Sequence, residues 1–404
     1  MENKEKLSRS QRHLDEKKKA KKKKIIAISI LMFLFAFLSY GAYMLYNNIN
    51  SGYRKSSSTA AIDPNFNSFS VLVMGIDEND SRRAQGQTRE NSRTDALIYL
   101  AVNKEKKKMD MVSIPRDSLS LMKAEFDNRD NSYFFDKITH AHAHAGTDGT
   151  IESVSSLLNV PVNFYIVINF AAFEKVVDSL GGVELYVPFD MKEQNANGEQ
   201  GTIELKQGWH TLNGAQALAF SRSRYYDSDI DRGQRQLQVI HAVIDKAKSL
   251  GGLSKINELI QITGSNVTHD LSVSNIATIA TMFTTNDMNI VAHKIGGYDA
   301  YMDGVYYYYP KPKHLLYLSS ILNDTLQRPL PKRDEITNIA YQDYIRPLER
   351  KYSLGVPTNL EETHSRFSYV NLEAEDRKEN LPTQLAEEDL LRDPTISNEN
   401  RPTE

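Results

Sequence analysis

Short apolar runs rich in β-branched and aromatic residues alternate with segments of helical period through the middle of the chain. Phe69–Gly75 (FSVLVMG) reads as a buried strand ending at glycine, and Ala96–Asn103 (ALIYLAVN) as a second. The charged stretch Lys104–Lys108 turns the chain back into an alternating third strand, Met109–Ile114, which makes a hairpin. Asn163–Asn169, Val183–Val187 and Asn289–Ile295 are further strands. Helical spacing covers Thr147–Leu158, Ala171–Leu180 (stopped by Gly181-Gly182), Asn213–Phe220, Arg232–Leu250, Leu253–Ile262, Ser272–Phe283 and His314–Leu322. Strands and helices mix without a clean βαβ alternation. The pattern predicts an α/β fold, a mixed central β-sheet flanked by helices on both faces.

A different pattern precedes it. Ile25–Tyr46 is an uncharged run of 22 residues, which as a helix spans roughly 33 Å, about one hydrocarbon core. Tyr40, Tyr43 and Tyr46 gather at its far end, where amphipathic rings favour the interface. Lys21–Lys24 flank its near end, so the basic head is expected to stay in the cytosol and the rest to be exported. A cleaved signal peptide is the competing reading, but it has a shorter apolar core and a small-x-small site behind it. The expected organisation is a cytoplasmic head (1–24), an N-terminal transmembrane helix (25–46), a flexible Ser-rich linker (47–66), an extracellular domain (67–327) and an acidic, largely disordered tail (328–404).

Charge sharpens this division. The formal net charge of −3 over 404 residues hides a head with eleven basic and four acidic residues, and a segment 358–404 with five basic and twelve acidic. The absence of cysteine excludes disulfides, Cys-ligated zinc, iron–sulfur clusters and thiol catalysis. Within the domain, charges stand at strand ends. Asp77 follows the first strand, Arg93 and Asp95 precede the second, and Arg116 and Asp117 follow the third. Arg222 and Arg224 lie in a Ser-Arg-Ser-Arg stretch, followed by Asp229, Asp231, Arg232, Arg235 and Gln236. On a helix starting near Asp231, Arg232, Arg235 and Gln236 share one face. Guanidinium forks and a helix N-terminus suit phosphate. Asp77 and Asp95, at the ends of adjacent strands, could converge on Mg²⁺. A surface web of ion pairs is the alternative reading of the same residues.

The stretches VLVMGID, SRTDALIYLAVN, VSIPRDS, DKITHAHAHAG, YIVINFAAF, VVDSLGGVELYVP, GWHTLNGAQALAFSRSR and DIDRGQRQ, in this order, resemble the LytR-CpsA-Psr family of membrane-anchored cell-wall enzymes. The whole chain looks most like its staphylococcal-type members. The resemblance implies transfer of an anionic glycopolymer, wall teichoic acid or capsular polysaccharide, from a polyprenyl-pyrophosphate carrier to peptidoglycan outside the membrane. It also implies an apolar pocket for the lipid. The family's metal-site aspartates match Asp77 and Asp95, which would hold Mg²⁺ or Mn²⁺. Its pyrophosphate-binding residues match Arg93, Arg116, Lys137, Arg222, Arg224, Arg232, Arg235 and Gln236. Arg116, Arg222 and Asp229 are the candidate catalytic residues, with Asp229 or Asp95 as general base. Asn79 stands where relatives commonly carry Arg, and Asp231 where they often carry a small residue.

Other signals weigh less. His140, His142 and His144 alternate, and on a strand would face one side as zinc ligands do, but helical and irregular structure are equally open for this stretch, and in the family it resembles it is not a metal triad. Ser113 and Ser221 lack a nucleophile elbow. Tyr306–Tyr309 reads as a strand with one face on the core, and Trp209 as a packing residue. Two other functions use the same residues: a polyprenyl-pyrophosphate phosphatase with water as acceptor, and a non-catalytic binder of lipid or polymer that regulates wall synthesis.

Overall fold

In β1 (Ser68–Ile76) successive side chains enter different cores, as the two-residue period of a strand requires. Leu72, Met74 and Ile76 join one cluster, Phe69 and Val71 another. A strand buried on both faces must lie inside a sheet, and β1 does. The computed structural model describes residues 51–62, 65–78, 88, 92–124, 132–196, 198–223, 229–249, 267–285, 288–302, 305–332 and 336, with single helical positions at 32, 35, 39, 40, 43, 46 and 47.

The order continues with β2 (Thr94–Asn103), β3 (Lys108–Ser113), β4 (Leu119–Ala124), β5 (Ser132–Lys137), α1 (Ala141–Leu158), β6 (Phe164–Asn169) and α2 (Phe170–Ser179). Then come β7 (Val183–Val187), β8 (Met191–Glu193), β9 (Ile203–Leu205), β10 (Gly208–Leu212), α3 (Gly214–Arg222) and α4 (Asp229–Ser249). The last are β11 (Val267–His269), α5 (Val273–Thr285), β12 (Asn289–Lys294), β13 (Gly297–Met302), β14 (Val305–Pro310) and α6 (Pro312–Thr325). Six strands form the central sheet in the order β11-β6-β1-β2-β3-β12. β1 pairs antiparallel with β2 and parallel with β6, and β3 pairs antiparallel with β2 and parallel with β12. The expected mixed sheet is therefore present.

Both faces are covered. Ile151, Val154, Leu157 and Leu158 of α1, with Leu315, Leu318 and Leu322 of α6, pack on Leu72, Met74, Leu97, Tyr99 and Val112. Across the sheet, Leu237, Ile240 and Ile244 of α4 and Ile276, Ile279 and Met282 of α5 meet Phe69, Val71, Ile98, Met109 and Met111. A third core joins β7–β10 to α2, α3 and Val239 of α4.

Several boundaries differ from expectation. The β4–β5 hairpin, the pair β8–β9, strand β13 and edge strand β11 were not predicted, because each strand is too short or too mixed in polarity to carry a period. The predicted helix over 253–262 lies outside the described residues. The first helix begins at Ala141, six residues early, because DKITHAHAHA continues into it past a break at Ala145 and Gly146. Gly146 has φ 59°, the left-handed region that glycine enters without steric cost.

The Ser-rich linker is also different, since residues 51–62 are docked on the domain rather than loose. The His269 amide donates to the Gly52 carbonyl, the Arg54 amide to the His269 carbonyl and the Ala60 amide to the Val162 carbonyl. Ser56 and Ser57 hydroxyls donate to Asp148, and the Tyr165 hydroxyl to the Arg54 carbonyl. Ile62 and Phe66 pack on the α4–α5 core. Most of 25–46, all of 1–24, and the tail apart from 328–332 and 336 lie outside the described residues. Among those described, no helix is long and apolar enough to cross a membrane.

Candidate functional site

The carboxyl ends of β1, β3 and β6 and the entry to β2 share one edge of the sheet, and the strand-end charges collect there. In open α/β sheets this is the edge where ligands bind. Gly75 pairs with Ala96 but Ile76 pairs with Thr94, so Asp95 is the extra residue of a β-bulge. A bulge re-aims the side chain it carries. Asp95 Oδ1 accepts from Arg116 Nη1 at 2.7 Å. Asp77, one residue past β1 and 5% exposed, donates its amide to the Arg93 carbonyl at 3.4 Å. The two aspartates therefore sit at the ends of neighbouring strands, while the Arg93 side chain is exposed.

Arg116 is held by its own loop. The Arg116 carbonyl accepts from the Thr139 amide, and the Asp117 carbonyl from the Tyr308 amide. Asp117 lies between two cations, with Oδ1 at 3.0 Å from Lys137 Nζ and Oδ2 at 3.5 Å from Arg116 Nε. Lys137 Nζ also stands over the Tyr306 and Tyr307 rings at 5.9 and 5.4 Å from their centroids. Such contacts are worth about 0.5–2 kcal/mol each. Tyr306–Tyr309 indeed form a strand, β14, with Tyr308 and Tyr309 buried. Ahead of Arg93, the Ser92 carbonyl is bonded to His142 Nδ1 at 2.9 Å.

Arg222 ends α3. A capping box at the other end, in which Asn213 accepts from the Gln216 amide and donates its own amide to Gln216 Oε1, starts that helix. The Arg222 guanidinium lies 4.2 Å above the Phe170 ring, at the start of α2. Burial and the neighbouring Asp178 push the Glu174 carboxyl up, partly offset by Arg222. Arg232 and Arg235, one turn apart in α4, are 5% and 4% exposed. Arg235 Nε donates to the Phe220 carbonyl at 3.0 Å and Nη2 to the Ser223 carbonyl at 2.6 Å, so it satisfies the open C-terminus of α3. A Cβ at Gly233 would meet Ser113 Oγ at 2.6 Å, so α4 runs against the end of β3 only because residue 233 has no side chain. The helix begins at Asp229 rather than at Asp231, and Asp231 is exposed. Gln236 is half-buried on the same helix. Arg224 and the Asp229 side chain lie outside the described residues, as do Asn79, Arg82 and Arg83.

The edge thus brings together Asp77, Asp95, Arg116 and Lys137, with Arg222, Arg232 and Arg235 on the two helices α3 and α4. Four members were not singled out by sequence. The Asn169 amide group donates to Glu78 Oε2 at 3.2 Å while its carbonyl oxygen caps α2. Glu193 accepts from the Ser223 hydroxyl at 2.6 Å. Phe170 carries Arg222. Asn169 and Phe170 end a strand parallel to β1, so the rule that led to Asp77 would have led to them. Glu193 had no such signal. Trp209 is 38% exposed and meets Tyr186 edge-on at 5.7 Å, so it packs on a neighbour strand at the surface.

Opposite the α1–α6 face, the apolar layer between the sheet and α4 and α5 is incompletely sealed. Val73, Leu100, Ile166, Ile240, Ile276, Ile279, Phe283 and Ile290 all keep part of their surface open.

An uncharacterized protein of Staphylococcus aureus is 39% identical over 266 residues, 66% of this chain, and the chain spans 64% of that relative's length. The polyisoprenyl-teichoic acid–peptidoglycan teichoic acid transferase TagT of Bacillus subtilis is 35% identical over 311 residues, 74% of this chain and 93% of TagT. The solved structure of the LytR-CPS2A-psr family protein YwtF (TagT) with bound octaprenyl pyrophosphate lipid superposes with a TM-score of 0.51 at 32% identity, over 68% of this chain and 96% of that one. The LytR_cpsA_psr family profile matches residues 37–324, and the chain belongs to the LytR-CpsA-Psr family.

Proposed function

We propose that this chain transfers an anionic glycopolymer, wall teichoic acid or capsular polysaccharide, from a polyprenyl-pyrophosphate carrier to peptidoglycan, forming a phosphodiester. The observation that carries the reading is the arginine-rich sheet edge next to a half-open apolar layer. A polyprenyl pyrophosphate needs both, a polar end for its phosphates and an apolar bed for its chain. The transferase name of TagT and the octaprenyl pyrophosphate in the YwtF (TagT) structure support the same chemistry.

The reaction is a displacement at phosphorus. An acceptor hydroxyl oxygen of peptidoglycan bonds to the phosphorus that carries the polymer. The bond from that phosphorus to the bridging oxygen breaks, and polyprenyl phosphate leaves. Negative charge gathers on the phosphate oxygens, where preorganised guanidinium groups are worth most. In this reading Arg116 and Arg222 supply them, and Lys137, Arg232, Arg93 and Arg224 are the further proposed phosphate-binding residues. Arg235 fixes α4 against α3, and Gln236, half-buried on the same helix, is the further proposed phosphate contact. Asp229 or Asp95 is the candidate to take the hydroxyl proton.

Asp77 and Asp95 offer two hard-oxygen donors from adjacent strands, a set that suits Mg²⁺ or Mn²⁺. Such an ion would neutralise developing charge on the phosphates. We place the domain outside the cell membrane on a single N-terminal span with its head in the cytosol. The 22-residue uncharged run supports this, as do Met32, Phe35, Tyr40, Tyr43 and Tyr46, helical positions that are all more than half exposed.

The test uses the full chain in detergent with a lipid-linked polymer and peptidoglycan as acceptor. Transfer should occur and should fall about 10²–10³-fold in Arg116→Ala and Arg222→Ala. Release of phosphate at the turnover rate without acceptor would point instead to a phosphatase. Undiminished transfer in both variants would overturn the site.

A further inference from the structure

We infer that Asp136, His140 and His144 form a binding site for a first-row transition-metal ion of the Zn²⁺ class, distinct from the Asp77–Asp95 pair. The three residues come together where β5 passes into α1. His140 and His144 are one helical turn apart, and the break at Ala145 and Gly146 follows directly, so this turn stands off from the rest of α1. Each residue offers one ligand atom, and the three atoms lie within 4.8 Å of one another. His140 Nδ1 is 2.7 Å from Asp136 Oδ2, and His144 Nε2 is 3.8 Å from the same oxygen. Zinc bonds of about 2.0–2.1 Å in a tetrahedral shell place neighbouring donors about 3.3 Å apart. The two separations fall on either side of that value, each within about 0.6 Å of it, and the two imidazole donors lie no more than 4.8 Å apart.

The carboxylate is arranged as a metal ligand is. Its two oxygens are divided between the fold and the imidazoles. Oδ1 accepts the Lys137 amide at 2.7 Å and faces the Tyr307 hydroxyl at 3.4 Å, while Oδ2 points at both histidines. Outer partners that fix a ligand's orientation in this way are characteristic of metal sites. The two rings meet edge to face, at 89° and 6.2 Å between centroids. All three residues are half-buried and so within reach of an ion from solvent. Three protein ligands leave a fourth position open, the arrangement of a reactive rather than a purely structural zinc site.

The donor set also decides the metal. Two imidazoles and one carboxylate favour Zn²⁺, Ni²⁺ or Co²⁺, whereas Mg²⁺ prefers oxygen alone and keeps its waters. His142, between the two ligands, is not part of the set, because its ring is buried at 2% exposure against the Ser92 carbonyl. Of the strand, helical and irregular geometries open to the histidine stretch, the structure takes the helical one, which makes His140 and His144 an i, i+4 pair. The site adjoins the anion edge, since Lys137, next to Asp136, bonds Asp117, which in turn faces Arg116.

The experiment titrates the tag-free full chain in detergent with Zn²⁺ alone, by calorimetry or against a chromogenic chelator. One equivalent should bind, and excess Mg²⁺ should leave it in place. His144→Ala and Asp136→Asn should each weaken binding by at least about tenfold, the lower edge of what losing even an outer partner costs a metal site. His241→Ala, which removes the His241–Asp245 pair elsewhere on the surface, should leave it unchanged. Co²⁺ bound to the unaltered protein should give the visible absorption of a four- or five-coordinate ion, a readout that needs no variant to fold. Absence of stoichiometric Zn²⁺ binding, displacement by Mg²⁺, equal affinity in the variants, or an unchanged hexaaqua Co²⁺ spectrum would each overturn the proposal.

Discussion

Arg116 Nη1 and Asp95 Oδ1 meet at 2.7 Å, an ion pair in which both side chains are only about a quarter exposed. The pair joins the loop after β3 to the bulge in β2, so each residue fixes the other's aim. Arg116→Lys keeps the charge but loses the planar fork, and transfer should drop by roughly one to two orders of magnitude. Asp95→Asn keeps an acceptor for Arg116 but removes the anion. Transfer by this variant should respond weakly or not at all when Mn²⁺ is restored after chelation, whereas the unaltered chain should recover. A Mn²⁺ titration of transfer rate distinguishes the two.

Arg235 makes a second prediction. Its side chain closes the C-terminus of α3 through the Phe220 and Ser223 carbonyls. Lysine cannot span both. Arg235→Lys should cost about 1–3 kcal/mol of stability, measured by denaturant unfolding, because buried carbonyls lose their donors. It should also weaken binding of polyprenyl pyrophosphate, because Arg222 at the end of that helix loses its fixed position.

Asp270 sets a pH dependence. Burial pushes its carboxyl up to about 6, against the hydrogen bonds it accepts from the Tyr165 amide and Thr59. The folded state therefore holds the proton more tightly than the unfolded chain between about pH 4 and 6. Stability falls as pH rises through that window and stays at the lower level above it. Asp270→Asn keeps an oxygen for Tyr165 and removes the buried charge. Its melting temperature should exceed that of the unaltered chain at pH 7.5, and the difference should vanish near pH 4.

Asp110 sets the opposite slope. Burial raises its carboxyl, but hydrogen bonds from His293, Thr325 and Lys108 outweigh that and hold it below the ordinary range. His293 Nε2 is 2.8 Å from Oδ1, and Thr325 donates to Oδ2. This contribution is present above the unfolded value, about pH 4, and is lost as pH falls through the folded one. His293→Ala should cost about 2–4 kcal/mol at neutral pH. Asp110→Asn should flatten the loss of stability below pH 4, measured by thermal melts across the acid range.

What could be read from sequence depended on distance along the chain. β1, β2 and β3 carry strong periods, and a charged turn marks the passage from β2 to β3, so Asp77, Asp95 and Arg116 were found at their ends. The bulge that turns Asp95 was not legible, because it is a property of the pairing between two strands. The pairs Glu78–Asn169, Glu193–Ser223 and Arg222–Phe170 link residues 30 to 91 positions apart, and no local spacing announces them. The histidine stretch was legible as a candidate ligand set with strand, helical and irregular geometries all open. The partner that completes the set, Asp136, lies in a hairpin that was not foreseen. The Ser-rich segment was misread for a related reason, since small polar residues that look like a loose linker are also good hydrogen-bond donors to a nearby carboxylate.

That docked segment has a mechanical meaning. Gly52 and Arg54 bracket His269 as a short parallel addition to the outermost strand, and Tyr165 and Asp148 clamp the residues that follow. A pull on the chain ahead of residue 52 must shear several bonds at once, and the force then enters β11 and β6 rather than a slack leash. Residues 52–62 therefore belong to the body of the domain and add nothing to its reach.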